Sequence, residues 1–410
     1  MIKYLENRIW ALNARIEKTD ADAEEVNRQL ETLVTKGIFA GGGIRFSYSE
    51  NPIGNYSFRP VEVTLELTDK AVHLFQQWID EKEINFRLSS FRLIINTFGF
   101  LNIVPVFEYT GKLTNENLTD IESSGDATAE IIDSIFDDIH ALVDALDNIG
   151  IIKKSAFYHF GVPSGIEKYG IHTKDDSYNY LVHIFFYDEK DALANTVKLY
   201  QAEEHEMTFE NHRFFAVFPM YFWEMEKRGD DNELIRLTAI DSYMICETVA
   251  VNNSLHVYNS FLDVLNQNLE VDSNHLRKIF NYNTWQIQNL RLFNPNFTLH
   301  QFRFMKMYRQ NSDIVSKYEL YKDAEKSLSF AIEGMEVSRT QQSERIMQFI
   351  LALFTALTLY SVITDVYALI TSSEQSVPFS WHSVQSIIFI LETIVIASFI
   401  LLFRRISKRM

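Results

Sequence analysis

Cysteine is nearly absent from this sequence, and long apolar runs are rare outside its last 65 residues. The single cysteine, Cys246, excludes an intramolecular disulfide framework and any cysteine-rich zinc or iron–sulfur site. The first 13 residues, MIKYLENRIWALN, mix charged and apolar side chains without a continuous apolar segment. They are therefore not expected to act as a secretory signal.

Positive charge is also scarce. The 410 residues contain 38 Lys and Arg against 55 Asp and Glu, a formal net charge of −17. A protein that binds the phosphate backbone needs a basic face, so direct contact with nucleic acid is not expected. Hydrophobic residues at 47% and charged residues at 23% are ordinary globular values, which excludes a fully disordered chain.

Motifs for catalysis and metal binding are lacking as well. The eleven histidines are dispersed, with no Ser/His/Asp or Cys/His signature around Cys246. Gly41–Gly43 lacks the G-x-G-x-x-G order of a phosphate loop and favours a helix-to-strand turn. The acidic patch that contains His205 and His212 lacks HExxH spacing and favours a solvated loop. We therefore predict no enzyme, no catalytic residues and no metal site.

Two apolar segments near the C-terminus are long enough to cross a membrane. Residues 346–364 form 19 positions without a charge, and the apolar character continues to Ile370. Residues 384–403 form 20 positions with one charge, Glu392. About 20 apolar residues span a bilayer as a helix, so a transmembrane hairpin over 346–410 is predicted. The alternative is a pair of buried core helices.

The charges that flank these segments predict the orientation of the hairpin. Arg404, Arg405, Lys408 and Arg409 follow the second span, whereas the turn between the spans holds no Lys or Arg. The positive-inside rule then places both termini in the cytoplasm. We predict a multi-pass protein of the cell inner membrane, with the lipid bilayer as a partner.

The region before the hairpin predicts an α/β or α+β cytosolic domain over residues 1–228 and a helical stalk over 229–345. Near-heptad apolar spacing predicts an amphipathic helix over residues 1–36. A further helix is predicted from about 118 to 148, and another from 68 to 83. Strands are predicted at 44–49, 56–67, 84–98, 103–109, 156–160, 180–187 and 214–218.

The stalk ends in one unusually long helical pattern. From about Ser312 no proline interrupts the chain before Ile370, which predicts a helix of 59 residues, about 88 Å long if unbroken. Such a charged helix is not stable alone in water. It needs partners from its own chain or from sister subunits.

Polar side chains interrupt both predicted spans. On the first span they recur at intervals of seven, three and seven residues, on the stripe that faces neighbours in a left-handed bundle. A carboxylate inside a span is costly unless it meets protein, water or a cation, or is protonated. One interpretation is a cation pore between several copies, and the alternative is an anchor whose hydroxyls only join helices. The candidate pore-lining residues are Gln348, Thr355, Thr358, Ser361, Asp365 and Glu392.

The plan of a cytosolic α/β domain, a long charged helix, a short outer turn, a second span and a basic tail resembles the CorA-type divalent-cation transporters. The resemblance is specific only over about residues 312–410. Where that family carries Gly-Met-Asn, this chain reads VYALIT at Val366–Thr371, so it resembles a divergent member. The resemblance implies a funnel-shaped homo-oligomer of five copies and a divalent cation such as Mg²⁺.

Divergent CorA-like proteins also occur as membrane effectors of type III CRISPR antiviral defence. That branch implies a channel opened by a nucleotide second messenger, such as the adduct of S-adenosylmethionine with AMP. No residue of this chain is assigned to contact such a ligand, and no cofactor is certain.

Together these patterns predict a homo-oligomeric ion channel or transporter that its cytosolic domain gates. The alternative is a membrane-tethered cytosolic binding or scaffold protein whose hairpin is only an anchor. An enzyme on the same anchor is a third option. The transported ion, the activating ligand and the subunit number do not follow from the sequence.

Overall fold

The computed structural model describes most of the chain up to residue 371. The described residues are 1–50, 61–81, 85–111, 128–155, 178–187, 207–209, 212–217, 220–226, 230–267, 271–292, 299–311 and 313–371, with Phe160, Ile166 and Tyr169. The second predicted span, the outer turn and the basic tail lie outside them, as does His205 of the acidic patch, whereas His212 begins a strand.

A mixed sheet of nine strands is the centre of the fold. The spatial order is β3-β4-β5-β6-β1-β8-β11-β10-β9, and all neighbours are antiparallel except the parallel pair β8–β11. Strands β2 and β7 form a separate antiparallel pair. The strands are β1 (Ile2–Ala11), β2 (Ala14–Ile16), β3 (Ile44–Glu50), β4 (Val61–Leu67), β5 (Phe86–Asn96), β6 (Phe100–Tyr109), β7 (Ile152–Lys154), β8 (Tyr178–Tyr187), β9 (Met207–Phe209), β10 (His212–Val217) and β11 (Met220–Met225).

Helices pack on both faces of this sheet. They are α1 (Ala23–Leu33), α2 (Asp69–Glu81), α3 (Phe136–Ile149), α4 (Asp231–Leu237), α5 (Ala239–Asn266), α6 (Ser273–Leu292), α7 (Leu299–Asn311) and α8 (Ile314–Thr371). One face packs on α1, α2 and α3, and the other packs on α4 to α7 and the beginning of α8. The predicted α/β class is therefore confirmed, with a mixed sheet and a long helix.

Each face of the sheet has its own hydrophobic core. On the first face Phe46 and Leu65 belong to the cluster that contains Leu30 of α1 and Phe75 of α2. On the second face Trp223 belongs to the cluster that extends through α5 to the buried part of α8. Covering both faces removes apolar surface from water on each side of one sheet, which is the main stabilising term of the domain.

The prediction of a helix over residues 1–36 is wrong for its first half. Residues 2–11 form β1, whose ten residues are all buried, and a helix begins only at Ala23. Strand β1 pairs with β6 on one side and β8 on the other. A strand that is buried on both faces need not alternate apolar and polar residues. The apolar residues of β1 therefore had a spacing close to that of an amphipathic helix. Asp22 accepts a hydrogen bond from the Glu24 amide and fixes the start of α1.

The other predicted elements agree with the structure where it describes them. Strands occur in the predicted regions 44–49, 84–98, 103–109, 180–187 and 214–218, and α2 occupies most of 68–83. Three strands outside the predicted regions, β7, β9 and β11, were missed, and β2 lies inside the region predicted as a helix. The glycines at 41 and 42 have φ of 58° and 82° and turn the chain from α1 into β3, so the predicted turn is confirmed.

The predicted long helix is also confirmed. Helix α8 contains 58 residues and runs from Ile314 to Thr371. By residue contacts the chain forms two compact units, Met1–Glu336 and Val337–Met410. Strands and stalk helices both belong to the first unit.

Charged residues of β1 are buried and paired. On one face the Glu6 carboxylate accepts hydrogen bonds from Arg8 and, at 2.9 Å, from the Tyr4 hydroxyl. Burial raises the pKa of Glu6, although the Arg8 charge opposes that shift. On the other face Lys3 Nζ donates to Asp231 Oδ1 at 2.5 Å, and Ser89 Oγ donates to Asp231 Oδ2 at 2.6 Å. These last contacts attach the start of α4 to the sheet.

Asp231→Asn is expected to destabilise the fold by roughly 3 kcal/mol at pH 7, because it leaves the buried Lys3 ammonium without its closest carboxylate. Burial by itself raises the pKa of Asp231, but the hydrogen bonds and charge of Lys3 outweigh it and lower the pKa below the ordinary 3.8. Because the pKa of Asp231 is lower in the folded protein, its ionised carboxylate stabilises the fold fully at pH values above 3.8. This stabilisation is lost as the pH falls from 3.8 through the lowered pKa. Urea unfolding of the native protein and of the Asp231→Asn variant, at pH 7 and in acid, measures the difference in their unfolding free energies.

The exposed Asp133 supplies the matched control, since Asp133→Asn removes the same charge from a solvated helical turn. We expect that control to change the unfolding free energy by less than about 0.5 kcal/mol. Equal effects of the two substitutions at pH 7 would contradict the role given to Asp231.

Candidate functional site

Helix α8 changes its surroundings along its length. Between Ile314 and Ile332 one side of the helix is buried, including Tyr321 and Leu328. From Val337 onward the described side chains are mostly exposed, and many are large and apolar. Phe349, 55% exposed, lies about 160° around the helix from Leu351, 63% exposed, so the apolar surface is not confined to one stripe. A helix that is apolar all round is typical of an apolar environment.

The structure places the predicted pore-lining residues of the first span on this helix. Gln348, Thr355, Thr358 and Asp365 fall within about 100° of arc in the α8 backbone, and Ser361 lies about 40° beyond them. The predicted common side is therefore present in the backbone. The structure describes neither the Asp365 side chain nor any part of Glu392, so their place in a pore stays a prediction.

The two threonine hydroxyls are bonded within their own helix. Thr355 Oγ1 donates to the Leu351 carbonyl at 2.8 Å, and Thr358 Oγ1 donates to the Phe354 carbonyl at 2.6 Å. Because both protons are used, these hydroxyls need no water or partner helix. They fit an interface or a lipid-facing surface as well as a pore wall.

Among the helical residues that the structure describes, no segment is both long and apolar enough to cross a bilayer. The predicted hairpin thus stays a prediction.

A polar cavity of about 310 Å³, here called the sheet cavity, lies in the first unit between the sheet and the helix pair α4–α5. Its floor consists of residues from five neighbouring strands, β3, β4, β5, β6 and β1. The floor is mainly hydrophilic, with Ser47, Ser49, Glu62, Thr64, Glu66, Arg92, Asn102 and Asn7. The roof includes Asn232, Arg236 and Ser242.

Hydrogen bonds connect the floor of the sheet cavity to its roof. Arg92 Nη2 donates to Glu66 Oε1 at 3.2 Å and to Asn232 Oδ1 of α4 at 2.5 Å. On the α5 side, the Tyr243 hydroxyl donates to Glu62 Oε1 at 2.5 Å. Polar contacts that depend on the positions of both helices therefore bridge the floor and the roof of the cavity.

Three residues of this lining each have one polar side-chain atom that is closed to solvent and has no hydrogen-bond partner in the protein: Asn7 Nδ2, Asn102 Oδ1 and Arg92 Nε. Leaving such an atom unpaired costs about 1–3 kcal/mol, and native cores rarely contain several together. Their grouping around one cavity is unlike a core that is optimised only for stability.

Sequence reasoning missed the sheet cavity, although part of its signal was present. In β3 and β4 the sequences IRFSYSE and VEVTLEL alternate apolar and polar residues, which predicts one hydrophilic face. Nothing in the sequence shows that α4 and α5 cover this face, or that Asn7 and Asn102 meet it from the inner strands.

A second cavity, of about 550 Å³, lies among α6, α7 and the beginning of α8. At its edge the buried Glu247 of α5 accepts from Arg309 at 3.0 Å and pairs with Arg291 at 3.6 Å. The Arg291 guanidinium also lies 3.8 Å from the centre of the Tyr318 ring on α8. These contacts hold the four helices together, and both arginines are used in them.

Comparison with known proteins gives no match: no family model, curated protein or solved structure is significantly similar to this chain. Within the described residues, no group of three or more His, Cys, Asp or Glu side chains is arranged to hold a metal ion.

Cys246 is expected to resist alkylation in the folded protein. Its side chain is fully buried, and Asn96 Nδ2 lies 3.5 Å from its sulfur. Burial raises the pKa of the thiol well above its usual range, so the reactive thiolate is suppressed. Iodoacetamide labelling followed by mass spectrometry should run at least about a hundredfold slower than in unfolded protein.

Glu344→Cys gives the matched control, because that position on α8 is exposed. We expect the added thiol to react quickly while Cys246 stays unmodified. Rapid modification of Cys246 in the native sample would show that the α5 core opens.

Proposed function

We propose that the chain is a homo-oligomeric membrane channel or transporter for cations, whose N-terminal region senses an activating ligand. The C-terminal hairpin would cross the inner membrane with both termini in the cytoplasm. The resemblance to the CorA-type proteins supports a pentamer as the starting hypothesis. Its defence-associated branch supports a nucleotide second messenger as the activator.

One observation carries this proposal: a single helix contributes both to a buried domain core and to a segment of exposed apolar side chains. Tyr321 and Leu328 of α8 are 2% and 0% exposed. Met347 and Phe354 of the same helix are 61% and 62% exposed. Exposed apolar surface of this extent marks contact with lipid or with another protein.

The same helix offers a route from ligand binding to the pore. Its first turns share a core with α5, α6 and α7, so a rearrangement of that core would act on the helix that carries Thr355, Thr358 and Asp365. A ligand opens such a pore only if it binds the open state more tightly than the closed state. Asp365 and Glu392 would supply the negative charge that attracts cations.

A second candidate is a membrane-tethered binding or scaffold protein. The Thr355 and Thr358 hydroxyls are compatible with it, because their protons are already donated within α8 and need no pore water. In that case the hairpin anchors the N-terminal region and conducts nothing.

The mass of the detergent-purified full-length protein, with the detergent subtracted, separates these candidates first. A discrete ring-sized assembly, most tellingly of five copies, is expected for a central pore. A monomer or dimer that persists across mild detergents and in nanodiscs contradicts the channel proposal.

Cation flux into liposomes then tests the predicted carboxylates. The double substitution Asp365→Asn with Glu392→Gln is expected to reduce cation flux about tenfold at low salt, because the lost charge no longer concentrates cations at the pore. Glu344→Gln is the matched control: it removes a carboxylate from α8 outside the charge-free run and should leave flux unchanged. Unchanged flux in the double variant of an assembled, conducting protein would exclude these residues from the pore.

A further inference from the structure

The cavity among α6, α7 and the beginning of α8, here called the helix cavity, has the size of a small-molecule site. Its volume of about 550 Å³ lies inside the range for ligand pockets, about 300–1,000 Å³. Its lining includes Arg291 of α6, Arg309 of α7, and Tyr318, Tyr321 and Glu325 of α8. A molecule bound there would contact all three helices.

Two arginines of the helix cavity share one carboxylate. Arg309 Nη2 donates to Glu247 Oε2 at 3.0 Å, and Arg291 Nε lies 3.6 Å from Glu247 Oε1. Among the residues that the structure describes, neither arginine pairs with a second carboxylate. The two guanidinium groups therefore lie close together and carry one positive charge more than Glu247 neutralises.

The Tyr318 ring holds Arg291 without using its hydrogen-bond donors. The guanidinium carbon lies 3.8 Å from the centre of the ring. A guanidinium stacked on an aromatic face keeps the N–H groups at its edge open. Within the described part of the chain, no oxygen accepts a hydrogen bond from Arg291. A guanidinium held in this way is prepared to bind an oxyanion through two parallel hydrogen bonds.

Further along α8 the helix cavity carries negative charge. Glu325 Oε1 accepts hydrogen bonds from the Tyr321 hydroxyl at 2.9 Å and from Thr284 Oγ1 at 3.1 Å. Glu325 lies seven residues after Tyr318, which is about 10 Å along the helix axis. An anionic group therefore fits beside the arginines, whereas a second anionic group directed toward Glu325 would be repelled.

We propose that the helix cavity binds a small soluble molecule with one phosphate group and an uncharged remainder. Arg291 and Arg309 donate to the phosphate, and Ile287 and Leu292 of the lining offer apolar surface to the remainder. Phosphate is favoured over carboxylate because it presents three acceptor oxygens to two guanidinium groups, whereas one arginine can occupy both oxygens of a carboxylate.

The helix cavity also gives the proposed channel a place where a ligand acts on α8, since a bound molecule adds contacts between α8 and the two neighbouring helices. This regulatory role rests on the proposed function, but the binding does not, because calorimetry measures it without ion flux. Binding by a protein that conducts nothing contradicts the channel alone. A conducting protein without binding contradicts this site alone.

Phenyl phosphate is a suitable probe, since it joins one phosphate to an uncharged ring. Calorimetry with the full-length protein in dodecyl maltoside, a detergent without phosphate, is expected to give saturable binding with a Kd of about 1 mM or tighter. Two analogues test the chemistry: phenol lacks the anion, and benzoate carries a carboxylate instead. Each is expected to bind at least about tenfold more weakly, because it makes fewer charge-assisted hydrogen bonds.

Nanodiscs of phosphatidylglycerol distinguish a soluble phosphate compound from a lipid headgroup. The affinity for phenyl phosphate should be the same in these nanodiscs as in dodecyl maltoside. Clearly weaker binding in the nanodiscs would show that the headgroups compete for the site, and would contradict a soluble ligand.

Arg291→Gln is the decisive variant. Arg291 is 42% exposed, and its loss leaves the Glu247–Arg309 pair in place, so the melting temperature should stay within about 2 °C of the native value. Affinity for phenyl phosphate should fall at least about tenfold. Arg277→Gln is the matched control: Arg277 lies on the same helix but pairs with Glu336 outside the cavity lining, so affinity should not change.

Arg291→Lys keeps the charge but lacks the planar fork, and should restore only part of the affinity that Arg291→Gln loses. The absence of saturable phenyl phosphate binding to the native protein would overturn the proposal. Undiminished binding in the folded Arg291→Gln variant, an equal loss in Arg277→Gln, or equal affinity for phenyl phosphate and benzoate would overturn it as well.

Discussion

Strand β1 has no side that faces water, and the arrangement of the domain depends on that constraint. Its edges are paired with β6 and β8, and its faces lie under helices. The charged residues of the strand must therefore find partners inside the protein. Lys3 does so by binding Asp231 and fixing α4, and Glu6 by pairing with Arg8 and Tyr4.

The two halves of one sheet face show how the same architecture serves two purposes. Near β8 and β11 that face is apolar, with Phe185 and Trp223 in the core under the helices. Near β3 and β4 it carries carboxylates, hydroxyls and an arginine, and the helices leave a space above it. Burial of the apolar half stabilises the domain. This stabilisation offsets the free-energy cost of the polar groups in the other half that have no hydrogen-bond partner. Natural proteins tolerate such a local loss of stability where binding needs it.

Much of the architecture could be predicted from the sequence, because most elements obey a single local rule. Runs of strand-type residues bounded by turn signals identified β3 to β6, and the absence of proline from Ser312 to Ile370 identified α8. Strand β1 was misread because burial on both faces erased the alternation that marks an ordinary strand. The sheet cavity was missed for a related reason: it depends on which helix covers which half of the sheet, and that is a long-range property. The stripe from Gln348 to Asp365 was visible because it is local to one helix.

The position of β1 also has a consequence for the order in which the protein is made. This strand comes before both of its partners in the chain, since β6 ends at Tyr109 and β8 ends at Tyr187. At typical rates of synthesis β8 follows roughly 10–40 s later, and during that time one edge of an apolar strand has no native neighbour. The predicted membrane segments come later still, so the centre of the sheet can close before any span is available to the bilayer. Strand order thus leaves β1 exposed along one edge until β8 has been made.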